Sequence, residues 1–547
     1  MAWLRRYGPA LLVLLAVLGF TAQVFSTSSK RPHPRWDEVQ YLALAREYAK
    51  EGGALATIRC HFEGRCKEDN RHPLYQLPLQ AVVDGEPQSF ADAKLVTLGT
   101  ALLLLGVVLF ATRRRFGWGV AVATTALLSL MANLVLMSAS LVHDVLFAAL
   151  VFAAIHAIAH WQARGPQWWL VAGGLIGLAY LTKGIGHFLF VPLVAVGLHH
   201  HRLRFLRRPI LYAALIGFAA AASFLLWRNV DVFGSPLHNV SIRAAWLDDW
   251  EQYWSLARSP EWSKVGLGWF LERHSLFDLA LRLIKGFGIT LGLFIYSAGL
   301  GTTEIVPCAI TGLVVVVLAM MGLVRRYRAG HRSEVLAVAY LGAIFFAGYS
   351  FGAQAGLIAP RYTFPLVVLC LPYMLWELVE RVGPFLRRRL SWSSARLSAV
   401  ALGTLAALLT LRLAFFAEAL TTNPRTYYGT TEAWQRTSTW FAANLKPAER
   451  FALPNRSQYS TWDRPLPDTD PRWSYWYAVN PKLMLQQMDA RRIRKVLVDT
   501  EEDAFSTYQD KLSPERDARG PLAFLGWPRC FADGAEPSRL LVYCQPE

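Results

Sequence analysis

The sequence predicts an α-helical integral membrane protein, a bundle of about eleven transmembrane helices followed by a C-terminal extracytoplasmic α/β domain. Three observations predict it. Of the 547 residues 54% are hydrophobic, and they fall in repeated apolar runs of span length. The net charge of +17 is concentrated in short segments between those runs, such as "RRRFG", "HHHRLRFLRR", "RRYR" and "RRRLSWSSAR". That is the distribution of cytoplasmic loops, and it excludes nucleic-acid binding, since no basic face alternates with aromatics in a soluble module. Finally, after Phe416 the content of Pro, Arg, Trp and Asp rises and the apolar runs shrink to strand length.

Gly8 to Ser26 is the first run, and Arg5 and Arg6 before it hold its start inside; a cleaved signal peptide is the competing reading. Either way residues 27–93 form an outer loop. Lys94 to Thr112 returns to "RRRFG", Trp118 to Met137 goes out, and Val145 to Trp161 comes back. Trp168 to Leu181 and Phe188 to Leu198 form a short pair broken at "TKGIG", and Ile210 to Trp227 crosses outward. Residues 229–304 are then a second outer segment, in which Leu279 to Leu300 reads as an interfacial helix because Arg282, Lys285 and its glycines make a poor span. Ile305 to Val324, Val335 to Ser350, Phe364 to Val379 and Leu397 to Phe415 complete the bundle. The membrane domain is thus 1–416 and the outer domain 417–547, with "TEAWQRTSTWFAANL" and "KLMLQQMDARRI" as helices and "RKVLVDT" and "SRLLVYC" as strands. Cys60 with Cys66, and Cys530 with Cys544, are spaced to close small loops in an oxidising compartment, whereas Cys308 and Cys370 read as buried apolar residues.

The stretch "WDEVQYLALAREYAKEGG" has a purely structural explanation. Asp37 and Gln40 make a capping box, Glu38 suits the first turn, and Gly52 and Gly53 end the helix. Topology adds a second role. "RHPLY" with Arg71, His72 and Tyr75, "HD" with His143 and Asp144, "TKG" with Lys183, and "PRY" with Arg361 and Tyr362 all map to outer ends of spans. Each has a bland reading as a cap, a snorkelling lysine or an interface anchor, but one shared polar cleft accommodates them more economically. Acids and cations on an outer face suit a sugar leaving a lipid phosphate: the cations neutralise the phosphate and a carboxylate takes the acceptor's proton. No GxGxxG, P-loop, HExxH or GxSxG pattern competes.

In the order and spacing of these motifs the chain resembles the GT-C superfamily of membrane glycosyltransferases, specifically the bacterial relatives of protein O-mannosyltransferases and of the aminoarabinose transferase for lipid A, over roughly Leu11 to Phe415. The resemblance implies a polyprenyl-phosphate-linked sugar donor used outside the cytoplasmic membrane with inversion. It implies Asp37 as general base with Glu38 beside it, Asp144 as the second acid, and Lys183 and Arg361 at the donor phosphate, with Tyr362 adjoining. The aminoarabinose transferases carry a Lys where this chain has His72, so Arg71 or His72 could meet the phosphate, with Tyr75 beside them. Trp246 and Asp249, in the loop expected to cover the cleft, are the candidate acceptor contacts. No cofactor is required; a divalent metal is compatible with the chemistry, and Glu38, His72 and His143 are the residues that would hold it. The acceptor would be a protein, lipid or glycan hydroxyl. A transporter or lipid-linked-sugar flippase is the alternative, disfavoured because the acids cluster at span ends and no repeated halves are visible.

Overall fold

The computed structural model describes residues 2–29, 37–68, 70–83, 89–160, 165–248, 252, 256, 260–299, 305–353 and 359–390, isolated positions between 403 and 444, and five strands beyond them. The chain divides into two compact units. One comprises Met1–Pro32, Tyr41–Trp250 and Pro260–Thr421; the other comprises His33–Gln40, Glu251–Ser259 and Thr422–Glu547.

The first unit is helical. Its elements are α1 (Ala2–Ser29), α2 (Asp37–Lys50, whose first residues belong to the second unit), α3 (Ala54–Phe62), α4 (Gln76–Leu79), α5 (Ser89–Ser129), α6 (Ala132–Ser138), α7 (Asp144–His160) and α8 (Pro166–Thr182). They continue with α9 (Phe190–His201), α10 (Pro209–Phe233), α11 (Val240–Ala244), α12 (Leu267–Leu271), α13 (Leu276–Ala298), α14 (Ile305–Arg328), α15 (Arg332–Gly352) and α16 (Pro360–Leu390). Among the described residues seven helices are long and apolar enough to cross a membrane, and α7 is a shorter apolar helix of the same kind. The protein is a multi-pass membrane protein. α5 supplies two of the expected spans, because Gly117 at φ 84° breaks it after the basic "RRRF". The eleventh expected span, Leu397 to Phe415, lies largely outside the described residues.

Helix contacts sort the loops into two ends. At one, Arg115 Nη2 and Arg326 Nε approach Glu334 Oε2 at 3.4 and 3.5 Å, and Arg325 and Arg381 pair with the fully buried Glu377. The basic loops after α14 and within α5 therefore meet, as their charge predicts. Buried glutamates offset the arginines there, since an unpaired ion inside the bundle is costly. α15 leads away from this end and α16 returns to it.

At the opposite end lies α13, which the sequence reads as interfacial but which is by length and composition a candidate span. Ser275 and Asp278 form a capping box that starts it. Near its start Arg282 Nε donates to Phe351 O at 2.9 Å, and near its end Ser297 Oγ donates to Pro360 O at 2.6 Å. Both partners flank the short connection between α15 and α16, so both parts of α13 are fastened at the same end of the bundle. α8 and α10 pack closely through small residues: a Cβ on Gly173 would come within 1.8 Å of Ala214 O, and one on Gly217 within 2.1 Å of Leu170 O. That contact fixes where α8 ends, and with it Lys183.

The second unit contains strands β1 (Arg450–Leu453), β2 (Trp473–Tyr475), β3 (Ile493–Asp499), β4 (Arg529–Ala535) and β5 (Ser538–Cys544) in the order β2-β1-β3-β5-β4. β1 runs parallel to β2 and β3, whereas β5 is antiparallel to β3 and β4. Both strands expected from sequence are present as β3 and β5; the two expected helices lie largely outside the described residues. Cys530 is joined to Cys544 across the β4–β5 hairpin, and Cys60 to Cys66 in the first unit.

Candidate active site

Three helix ends deliver the central cluster. Asp144 opens α7 and is 1% exposed. Thr182 ends α8, and Lys183 leaves the helix with extended backbone (φ −152°, ψ 130°) after its N–H donates to Ala179 O at 2.9 Å. This abrupt exit carries its ammonium to Asp144 Oδ1, 2.7 Å away. Arg361, next to the Pro360 that starts α16, brings Nε to 3.7 Å from Asp144 Oδ2. Two cations from two helices thus converge on one buried carboxylate. Tyr362 lies under the Lys183 ammonium at 3.9 Å and stacks on Tyr349 at 5.9 Å, so the lysine is held between a carboxylate and an aromatic face.

The first loop adds a second layer. Tyr41, on α2, hydrogen-bonds through its hydroxyl to His143 Nδ1, and its ring meets those of His143 and Tyr75 edge-on, each at 5.4 Å. The Arg71 guanidinium lies 5.2 Å over Tyr41. Burial pushes the His143 imidazole down to about 3; Lys183, Arg71 and Arg361 act in the same direction, and Asp144 opposes them. Arg71 is therefore close enough to bear on the same charges as Lys183 and Arg361. Tyr75 is buried, with its hydroxyl 2.5 Å from Thr97 Oγ1.

His72 faces elsewhere. It is buried with its ring edge-on to Tyr180 at 4.9 Å, beside Gly184, where any side chain would collide with Asn239. Burial, then Arg228, lowers it to about 3. Of the two neighbours in "RHPLY", Arg71 stands with the Asp144 cluster, and His72 is buried against Tyr180. Trp246 packs against Phe351 at 4.4 Å and Phe270 at 6.1 Å, and Asp249 lies outside the described residues. Asp37 opens α2 one turn before Tyr41, followed by the buried Glu38; both belong to the second unit. Among the described residues no three His, Cys, Asp or Glu side chains gather to hold a metal ion.

The sequence reading passed over buried Arg228 and took Arg282 only as a mark against a span. Arg282, 3% exposed, donates to the carbonyls of Phe351, Ala245 and Leu247 and pairs with Asp248 at 3.4 Å. Arg228 grips the carbonyls of Cys66 and Glu68. A charged residue within an apolar helix was the available signal, since such a residue requires partners.

The buried histidines give a prediction. His61, His72 and His143 are each lowered to about 3, His61 also mainly by burial. The unfolded chain, with imidazoles near 6.5, binds more protons between those values, so stability is full above about pH 6.5 and falls as pH drops, by up to about 1.4 kcal/mol per pH unit for each histidine. The melting temperature in detergent should fall steeply from about pH 7 to about pH 5; a flat profile would contradict the neutral, buried state of these rings.

The model of the family described as dolichyl-phosphate-mannose-protein mannosyltransferase matches residues 92–227, less than half of the chain but including Asp144 and Lys183. No curated protein matches the chain by sequence. The structure is similar to ArnT from Cupriavidus metallidurans bound to undecaprenyl phosphate, with a TM-score of 0.50 and 14% identity over 99% of this chain and 100% of that one. It is also similar to the oligosaccharyltransferase AglB from Archaeoglobus fulgidus in complex with an inhibitory peptide and a dolichol-phosphate, with a TM-score of 0.53 and 13% identity over 91% of this chain and 70% of that one. The same archaeal enzyme tethered with an acceptor peptide gives 0.52 and 12%, over 92% and 70%. At these identities the likeness is one of fold.

Proposed function

We propose that this chain, whose fold is that of the GT-C membrane glycosyltransferases, moves a sugar from a polyprenyl-phosphate-linked donor to a hydroxyl acceptor on the outer side of the cytoplasmic membrane, with inversion. The observation that carries the reading is the convergence of Lys183 and Arg361 on buried Asp144 at the end of the bundle opposite the arginine-rich loops. Asp144 holds the two cations in place. When the donor arrives, Lys183, Arg361 and Arg71 face its phosphate, and as the glycosidic bond breaks they stabilise the charge that grows on the departing polyprenyl phosphate. His143, kept neutral and hydrogen-bonded to Tyr41, sets the wall beside them without adding charge. Asp37 takes the proton of the attacking hydroxyl, and attack from the face opposite the phosphate inverts the anomeric carbon. Two of the structural neighbours were solved with polyprenyl phosphates, which supports this donor class.

The test uses purified protein in lipid nanodiscs with a panel of undecaprenyl-phosphate sugars, following release of undecaprenyl phosphate. Release from at least one donor, lost in Lys183→Ala and Arg361→Ala, is the expected result. Sugar-lipid translocation without cleavage in wild-type protein would overturn the reading in favour of a flippase.

A further inference from the structure

Residues 60–68 rest on one face of α10. The rings of His61 and Phe62 meet Phe224 at 5.5 and 6.5 Å. One turn on, the buried Arg228 donates Nη1 to Cys66 O at 3.2 Å and also to Glu68 O. A further turn on, Asp231 lies against Gly64, where the backbone takes φ 65° and a Cβ would come within 2.5 Å of Oδ2. Phe224, Arg228 and Asp231 share a helix face by their spacing. Next to Arg228, Asn229 donates to the Tyr180 hydroxyl at 3.2 Å, and Tyr180 is the ring against which His72 packs. The Cys60–Cys66 cross-link closes the segment on itself, and Tyr48 secures His61 with a bond of 3.2 Å between its hydroxyl and Nε2. Arg71 follows Glu68 after only two intervening residues.

We infer that Arg228 and the Cys60–Cys66 cross-link are a positioning clamp for the donor site: by fixing residues 60–68 on α10 they set where the Arg71 guanidinium stands beside His143 and Asp144. This rests on the reading that Arg71 meets the donor phosphate. The clamp uses an arginine: both bonds leave the same nitrogen, Nη1, whose two N–H groups the planar guanidinium holds in fixed directions, whereas a lysine ammonium is a rotating point charge without that fixed geometry. It also needs the cross-link, because a short loop tied at both ends has little freedom left once two of its carbonyls are gripped.

The test compares wild-type protein with Arg228→Lys, Arg228→Met and the double variant Cys60→Ala with Cys66→Ala, all as full chains in nanodiscs. Steady-state kinetics are run separately against donor and acceptor, together with hydrogen exchange of residues 63–72. A clamp acting on phosphate binding raises the donor KM roughly tenfold or more, as expected when a binding group shifts by about an ångström. It leaves the acceptor KM unchanged and speeds exchange across 63–72, with Arg228→Lys between wild type and Arg228→Met. A merely structural role would lower kcat through a smaller active fraction and leave both KM values alone; that outcome, or equal rises in both, overturns the inference. If Arg228→Met fails to fold, Arg228→Lys and the double cysteine variant carry the same comparison. If wild-type protein transfers no sugar at all, the proposed function fails, while unchanged exchange at 63–72 in Arg228→Lys and in the double cysteine variant would separately refute the clamp.

Discussion

Asp37→Asn is expected to lower turnover by about 10²- to 10⁴-fold, the contribution of a positioned general base, with donor KM and melting temperature unchanged. Asp37 is the first residue of α2, and Glu38 joins it in the first turn. An acid in this first turn complements the helix dipole, and the capping box read from the sequence expects its side chain to accept a backbone N–H. Asn accepts the same backbone hydrogen bonds but cannot accept a proton from an attacking hydroxyl, so the substitution separates the two roles. Steady-state turnover with a lipid-linked sugar, read against thermal unfolding of the same sample, makes the comparison. Retained turnover would assign Asp37 to the helix start alone.

A second large effect is expected at Asp144, on stability. Replacing it by Ala leaves Lys183, and Arg361 beside it, without the carboxylate that lies 2.7 and 3.7 Å from them. Removing one partner of a buried pair costs about 3–5 kcal/mol, because an uncompensated charge stays behind. Adding Lys183→Met to Asp144→Ala should recover part of that loss, since it removes the orphaned ammonium and substitutes apolar volume. Unfolding followed in mild detergent reports both steps. An Asp144→Ala protein as stable as wild type would show that the pair does not hold these helix ends together.

Much of this was legible in the sequence, for identifiable reasons. The basic loops were readable because charge between apolar runs is a topological signal, and Arg115, Arg325 and Arg326 do meet at one end. The convergence of Asp144, Lys183 and Arg361 was also readable, because each stands at a span end on the same predicted side and buried ions seek one another. What the pattern could not give was side-chain direction. Arg71 and His72 are adjacent in sequence, yet one stands with the charged cluster and the other is buried against Tyr180, a difference set by the docking of residues 60–68 on α10. Trp246 packs in the aromatic group around Arg282, a placement the sequence pattern did not indicate. Arg282, which counted against a span at Leu279 to Leu300, is accommodated by backbone carbonyls and Asp248 near the start of a 23-residue helix whose two parts are both fastened at one end of the bundle.

The most direct measurement is an experimental structure of the full chain in nanodiscs with undecaprenyl phosphate. The phosphate is expected within hydrogen-bond distance of Lys183 or Arg361, beside Asp144 and Tyr362, with the lipid chain leaving the bundle between helices. A phosphate bound elsewhere, with the Lys183–Asp144 pair closed and unvisited, would contradict it.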